Sequence, residues 1–405
     1  MMSEAKPGPL RGIRVMDLTG ERGAYCGKLL ADLDADVIKV EPPRGCETRG
    51  LPPFVDDQPD PDGSLFFLYH NTNKRGITLD ITKVEGQRLF AQLASTADVV
   101  VESHAVDHLD GLGLGYDSLS RQNPRLVMTS ITPFGQTGPH RHFKGPDIVP
   151  LAMSGLMNML GEPDGVPVNA GARASYVLAG VSATAATLMA IFQRHATKRG
   201  QHVDVSIQEC VSASVYQVST MLYDGLRFSR MFRYPDAVPF ANFPTENGYV
   251  NILIGRPWHW DILAKWVHEV TGNAEILGEQ FKGHAIHRLP HEKQIYRWVA
   301  DFTRRFTKER LVAEGQKLGL PLGPVNTTAD LLQDPHLKER EFFVEVESRE
   351  GRRFTYPGAP YRFSESPWAI RRGPPKLGQH NTEVYRDELG MSGTELGSLR
   401  AMGVL

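Results

Sequence analysis

Fourteen histidines, three cysteines and scattered acidic and serine residues are the groups with chemistry to offer in this 405-residue chain. Their spacing excludes more than it selects. The pairs His140 with His142 and His284 with His287 have no third ligand at usable spacing, so a zinc centre is not indicated. Cys26, Cys46 and Cys210 form no Cys-x-x-Cys pair, and their odd number argues against a disulfide framework. Reduced thiols in a reducing compartment are the expectation. No serine stands in a Gly-x-Ser-x-Gly elbow, which removes the usual signature of a hydrolase triad. The first glycine turn reads Gly20-Glu21-Arg22-Gly23 and lacks the close-approach glycines of a dinucleotide-binding loop.

The elements that must position any site follow from the hydrophobic pattern. Residues 13–18 read as a short strand, residues 24–34 as a helix, and residues 36–41 as a second strand stopped by Pro42-Pro43. This order predicts a parallel βαβ unit. Residues 42–64 are rich in Pro, Gly and Asp and read as a long loop. Strands at 77–80, 98–102 and 126–131, with a helix at 83–96, extend the pattern to an open, mostly parallel α/β sheet. The Ala-rich run Val177 to Phe192, broken by Gly180, Ser182 and two threonines, reads as a buried helix that stops near Gly200. A strand at 203–207, a helix at 208–223, an irregular stretch at 225–245 and a strand at 248–254 follow.

Forty-five basic residues against 47 acidic give a net charge of −2, which makes nucleic acid and anionic membrane poor partners. No stretch reaches the roughly 18 apolar residues that span a bilayer. The N-terminus carries no apolar signal-peptide core, so a cytoplasmic location is expected.

A series of ordered segments carries a resemblance. The segments are Pro9-Leu10-Arg11-Gly12-Ile13-Arg14-Val15 with Asp17, Leu30-Ala31-Asp32-Leu33 running into Asp36-Val37-Ile38-Lys39-Val40-Glu41, and Asn73-Lys74-Arg75-Gly76-Ile77-Thr78-Leu79-Asp80. They continue with Phe134-Gly135-Gln136-Thr137-Gly138-Pro139, Ser154-Gly155-Leu156-Met157 and Arg199-Gly200-Gln201-His202-Val203-Asp204-Val205. Near the end come Gly323-Pro324-Val325, Asp334-Pro335-His336-Leu337 and Leu377-Gly378-Gln379-His380-Asn381-Thr382-Glu383. In this order, from residue 9 to the end, the chain resembles the class III CoA-transferases, the group of formyl-CoA transferase and the carnitine CoA-transferases.

The resemblance implies an α/β fold with an open parallel sheet in a large domain, a small α/β domain, and an interlocked dimer. The large domain is expected from residues 1–225 and 331–405, and the small domain from 226–330. The implied chemistry moves CoA from an acyl thioester to a free carboxylic acid, with the CoA thioester as substrate and no permanently bound cofactor. An enzyme aspartate attacks the thioester and forms a mixed anhydride. That aspartate stands four residues before a glycine. Here the glycine is Gly180 and the residue is Tyr176, in a run from Arg173 to Gly180 without a carboxylate. A phenol with a pKa of about 10 is a poor substitute. Tyr176 is therefore expected to pack, or to hydrogen-bond a substrate in a partner chain's site.

Leu79 matches an apolar adenine contact of the family, and Lys144 and Asp147 match polar positions. Other CoA contacts are altered. Pro42 follows Glu41 where arginine is common, Thr82 replaces a lysine, Gly111 occupies a frequent arginine position, and Glu102-Ser103-His104 replaces a Glu-Asn-Phe segment. The lost cations weaken the grip on phosphate.

These departures point to a non-catalytic subunit of a heteromeric class III CoA-transferase. A homologous aspartate-bearing subunit would be its partner, with an acyl-CoA such as succinyl-CoA and a small carboxylic acid as substrates. The pattern is similar to that of heteromeric members acting on benzylsuccinate in anaerobic toluene degradation, where one subunit lacks the aspartate. Two other readings stay open: a self-sufficient transferase whose nucleophile has moved to Asp147 or Asp164, and a non-enzymatic binding or regulatory homologue. A racemase of the α-methylacyl-CoA type would need an acid–base pair around position 176, which is missing.

Overall fold

The computed structural model describes residues 6–161, 165–215, 237–349 and 351–405. Two compact units are present: Met1–Arg230 together with Glu341–Leu405, and Met231–Arg340. The edges expected from sequence were 225/226 and 330/331.

The first unit is built on β1 (Arg14–Leu18), α1 (Ala24–Asp32), β2 (Asp36–Glu41), α2 (Leu65–His70), β3 (Arg75–Thr78), α3 (Val84–Ser95) and β4 (Val99–Glu102). It continues through α4 (His108–Gly111), α5 (Tyr116–Gln122), β5 (Val127–Thr132), α6 (Ile148–Met153), α7 (Leu156–Met159), α8 (Ala174–Thr197), β6 (His202–Ser206) and α9 (Ile207–Ser214). The six strands form one sheet in the order β3-β2-β1-β4-β5-β6, parallel throughout. The strands β3, β4 and β5 are buried at every residue, as expected for a sheet covered on both faces. The covering clusters differ in composition. One gathers Leu89, Phe90 and Leu93 of α3 with Val384, Tyr385 and Leu399 from the C-terminal region. The other gathers Cys26 and Leu30 of α1 with Tyr176, Ala179, Ala183 and Ile191 of α8.

The strand order reverses between β1 and β4. In open α/β sheets the crevice beyond the carboxyl ends of the strands at such a reversal is where ligands bind. The Gly20–Gly23 turn lacks the glycines of a dinucleotide loop, and the topology nonetheless opens a crevice at that turn.

The helix α8 corrects the expectation of a buried helix. It is 24 residues long, and half of its apolar window is buried. One side packs on the sheet, with Thr187 Oγ1 2.7 Å from Thr129 Oγ1 and Arg194 bonded to Asp98 at 2.9 Å. Val177, Val181, Met189 and Phe192 are exposed on the other side, Phe192 at 81%. The helix stops at Lys198, in the left-handed conformation with φ 60°, two residues before the expected Gly200. Gly180 is demanded by packing: a Cβ there would sit 2.9 Å from Tyr25 Cβ on α1.

One further expectation changes. Of the helix expected over 208–223, Ile207–Ser214 is helical and residues 216–223 lie outside the described residues. Within the stretch read as irregular, Phe240–Thr245 is a strand, β7, which pairs antiparallel with β8 (Gly248–Leu253). Alternation along this two-strand ribbon explains it: Phe243 and Val250 face each other and are buried. The second unit adds α10 (Pro257–Thr271), α11 (Glu292–Thr303), α12 (Lys308–Lys317), β9 (Leu322–Val325), α13 (Thr328–Gln333) and α14 (Pro335–Glu339). Its three-stranded sheet runs β7-β8-β9 over a core that includes Trp260, Trp266 and Phe302. The chain closes in the first unit with the hairpin β10 (Phe343–Arg349) and β11 (Arg352–Pro357) and with α15 (Gly393–Ala401).

Candidate functional site

At the carboxyl ends of β1 to β4 lies a cavity of about 220 Å³. Its walls come from the ends of the strands and the turns that follow: Leu18, Thr19 and Gly20 at the end of β1, Glu41, Cys46 and Glu47 at the end of β2, Leu79 to Thr82 after β3, and Ser103, His104 and His108 after β4. Leu79, 2% exposed, stands one residue beyond β3 and forms part of the wall.

The floor is ionic. Asp17, fully buried, receives Lys74 Nζ at 2.7 Å and lies 3.5 Å from Lys39 Nζ. Burial alone would raise the Asp17 carboxyl, but the two ammonium groups and the Thr19 hydroxyl hold it well below the usual carboxylate range. Burial works against the Lys39 charge, and the carboxylates of Asp17, Glu41 and Glu47 outweigh it and raise its pKa. Lys39 also donates to the Thr19 carbonyl, which pins the turn after β1. The same turn is held by Gly20 N donating to Ser103 Oγ at 2.8 Å. Glu41 is bound by Arg49 through two contacts of 2.7 and 2.8 Å.

The imidazoles of His104 and His108 are stacked, with centroids 4.8 Å apart. Burial, with help from His108 and Lys39, lowers the His104 pKa to about 4, so the ring is neutral near pH 7. Its Nε2 is buried and has no hydrogen-bond partner among the described residues.

The turn from Thr19 to Gly23 leads from this cavity to the head of α8. Glu21 is paired with Arg173, the residue that precedes α8. Tyr176 is 5% exposed and sits in the α1–α8 core cluster, with the Arg22 guanidinium near enough to act on its phenol. Burial raises the Tyr176 phenol above its ordinary pKa of 10, with Glu21 and Asp147 adding to the rise and Arg22 opposing it. A phenol so placed stays protonated at neutral pH and is no nucleophile. Asp147 adjoins it, and its carboxylate accepts from Ser175 Oγ at 2.6 Å and from Ser175 N at 3.1 Å.

The sequence-derived residues thus fall in separate places. Leu79 is in the cavity wall, while Tyr176 and Asp147 meet at the head of α8. Lys144 is exposed and is not among the residues that line the cavity. Asp164 lies outside the described residues. Sequence reasoning missed Arg22, Ser175 and the His104–His108 stack. The signal for the last was present in the altered Glu102-Ser103-His104 segment, which read only as a departure.

Comparison with known proteins gives a consistent result. Residues 10–381 match the model of CoA-transferase family III. The chain is 35% identical over 400 residues to succinyl-CoA:(R)-benzylsuccinate CoA-transferase subunit BbsE of Thauera aromatica, covering 97% of each. It is 33% identical to a succinate–glutarate CoA-transferase of Agrobacterium fabrum, covering 95% of this chain and 97% of the other. Among solved structures, a CAIB/BAIF family protein from Brucella suis superposes with a TM-score of 0.84 at 31% identity, covering 94% of this chain and 100% of that one.

Proposed function

The chain belongs to CoA-transferase family III, and from that premise we propose that it is the half of a heteromeric CoA-transferase that does not carry the nucleophile. One observation carries the reading. The position expected for the family's aspartate holds Tyr176, a buried phenol whose pKa burial raises. The two neighbouring carboxylates are already engaged, Glu21 by Arg173 and Asp147 by Ser175.

A homologous chain with aspartate at the matching position supplies the covalent step. This chain supplies a matching fold and a surface for that partner. The exposed stripe Val177, Val181, Met189 and Phe192, spaced four, eight and three residues apart on α8, is an apolar face of the kind that associates with another chain. The transferred group is CoA from an acyl-CoA such as succinyl-CoA, and the acceptor is a carboxylic acid, with benzylsuccinate the first to test. The donor and acceptor rest on the name of the Thauera relative, itself a subunit.

A second reading has one observation in its favour: Asp147 is close enough to Tyr176 to raise its pKa. A transferase with its nucleophile moved to Asp147 would act alone. The test is succinyl-CoA-dependent CoA transfer to a panel of dicarboxylic acids including benzylsuccinate. It is run with this chain alone and then co-expressed with an aspartate-bearing homologue. Activity only in the mixture supports the paired enzyme. Activity of the chain alone overturns it and turns the search to Asp147.

A further inference from the structure

A second cavity, of about 110 Å³, lies between the sheet at β4, β5 and β6 and the segment that carries α4 and α5. Its floor is a polar row in the sheet. Glu102, Ser130 and Asp204 are register partners on three adjacent parallel strands, so their side chains share a face. Two residues earlier on that face, Val100 and Met128 belong to the apolar core. The polar row therefore interrupts a surface that hydrocarbon covers elsewhere.

The charge in this row is unbalanced. Glu102 is 4% exposed and lines the cavity. It accepts the His104 amide at 2.7 Å and forms no ion pair among the described residues. The other titratable groups that face it are Asp204 and His202 on β6, Asp107, His108 and Asp110 at α4, and Tyr116 and Asp117 at α5. Asp204 is engaged by the Gln136 amide at 2.9 and 3.0 Å, and Asp107 by Arg141 and His142. Asp110 and Asp117 form no ion pair among the described residues. Burial lowers the His202 pKa against the pull of Asp204, Asp110 and Asp117, so its ring is neutral near pH 7. No lysine or arginine is among the described residues that line the cavity. A buried carboxylate without a counter-charge is costly, and a ligand that brings positive charge relieves that cost.

The geometry selects the kind of cation. No three acidic, histidine or cysteine groups among the described residues converge as metal ligands do. The acceptors are spread over the cavity, which suits an ion whose several N–H groups donate separately, as an –NH3+ group does. The volume equals that of about three or four waters, which limits the ligand to a few heavy atoms.

We propose that this cavity binds a small primary ammonium compound, whose –NH3+ pairs with Glu102 and donates to Ser130 while Asp110 and Asp117 draw the cation in. This goes beyond the functional reading above and does not depend on it.

Calorimetric titration of the full chain with ethanolamine tests the site, with ethylene glycol as the uncharged counterpart of like size and magnesium chloride as the metal. At pH 8 ethanolamine should bind and ethylene glycol should not. A cation favours the ionised carboxylate, and burial has pushed Glu102 up to about 7, so affinity should rise with pH. At pH 5.5 ethanolamine should bind at least about tenfold more weakly. Glu102→Gln should weaken binding at pH 8 at least about tenfold and flatten its pH dependence. Asp117→Asn, at an exposed position, should weaken it about two- to threefold, less at high salt. A cooperative thermal transition shows that each variant is folded. Equal binding of ethylene glycol, equal affinity at the two pH values, or binding unaffected by Glu102→Gln overturns the proposal. Tighter binding of magnesium than of ethanolamine makes this a metal site and also overturns it, as does no binding of ethanolamine at pH 8.

Discussion

A single carboxylate oxygen of Asp147, Oδ1, accepts both the hydroxyl of Ser175 at 2.6 Å and its backbone N–H at 3.1 Å. Ser175 is the second residue of α8, and the residue before that helix, Arg173, offers no side-chain cap. Asp147 therefore performs from a distant loop the service of a helix cap, satisfying an amide that would otherwise lack an acceptor. Asp147→Asn should lower stability by about 0.5–2 kcal/mol, the usual range for loss of a cap. Transfer by the co-expressed mixture should stay within about twofold of wild type. A mixture abolished by Asp147→Asn, with the variant still folded, would instead identify Asp147 as the nucleophile.

Tyr176 separates packing from chemistry. Its ring is buried among residues of α1 and α8. Tyr176→Phe keeps the ring and removes only the hydroxyl, so it should change stability by no more than about 1 kcal/mol and leave the mixture's activity unchanged. Tyr176→Ala opens a core cavity and should cost about 3–5 kcal/mol, by analogy with other large aromatic deletions. Urea unfolding of both variants, beside the transfer assay, checks the pair. A fall in kcat for Tyr176→Phe without a fall in stability would mean that the phenol touches substrate.

The parallel sheet was legible because its strands are short apolar runs punctuated by glycine and proline, and Asp36 to Glu41 before Pro42-Pro43 is the plainest case. The depth of burial of α8 was not legible. Val177, Val181, Met189 and Phe192 are as apolar as the residues that face the sheet, so composition alone gives no inside and outside. The strand at Phe240–Thr245 was hidden because Pro244, which cannot donate to a strand ladder, lies inside it. At the site, Leu79 and Tyr176 were found through family resemblance. Arg22 and Ser175 were missed because their significance is a matter of partners distant in sequence. The bond between Asp147 and Ser175 joins residues 28 apart, and no local spacing announces it.

Gly180 tests the close approach of α1 and α8. A methyl group there would meet Tyr25 Cβ at 2.9 Å and the Cys26 amide nitrogen at 3.3 Å. Alanine is favoured over glycine in a helix interior by about 1 kcal/mol, while overpacking costs about 1–3 kcal/mol. Because the contacts are a Cβ and a backbone atom, which cannot swing aside, the clash should prevail. Gly180→Ala should destabilise, and unfolding midpoints would show it. A stabilised variant would mean that α8 can move away from α1 at little cost.

Glu102 gives the fold a pH dependence of unusual sign. It ends β4, is 4% exposed, and accepts from the His104 amide at 2.7 Å. Burial raises its pKa to about 7, with Asp110 and Asp204 adding to the rise and Ser130 and the His104 amide opposing it. The folded-state pKa thus exceeds the unfolded value of about 4.3. A carboxyl raised in this way contributes its stabilisation fully below the unfolded pKa, and the contribution is lost as pH rises through the folded pKa. The window therefore runs from about pH 4 to just above pH 7. A tenfold change in proton affinity corresponds to about 1.4 kcal/mol, so the loss across the window is on the order of 3 kcal/mol. Glu102→Gln keeps the shape and removes the titration. Urea unfolding at pH 5 and pH 8 should give a smaller decline in stability for the variant than for wild type, by most of that amount. Equal declines in the two proteins would place the Glu102 pKa near its ordinary value and remove this carboxyl as a source of the pH dependence.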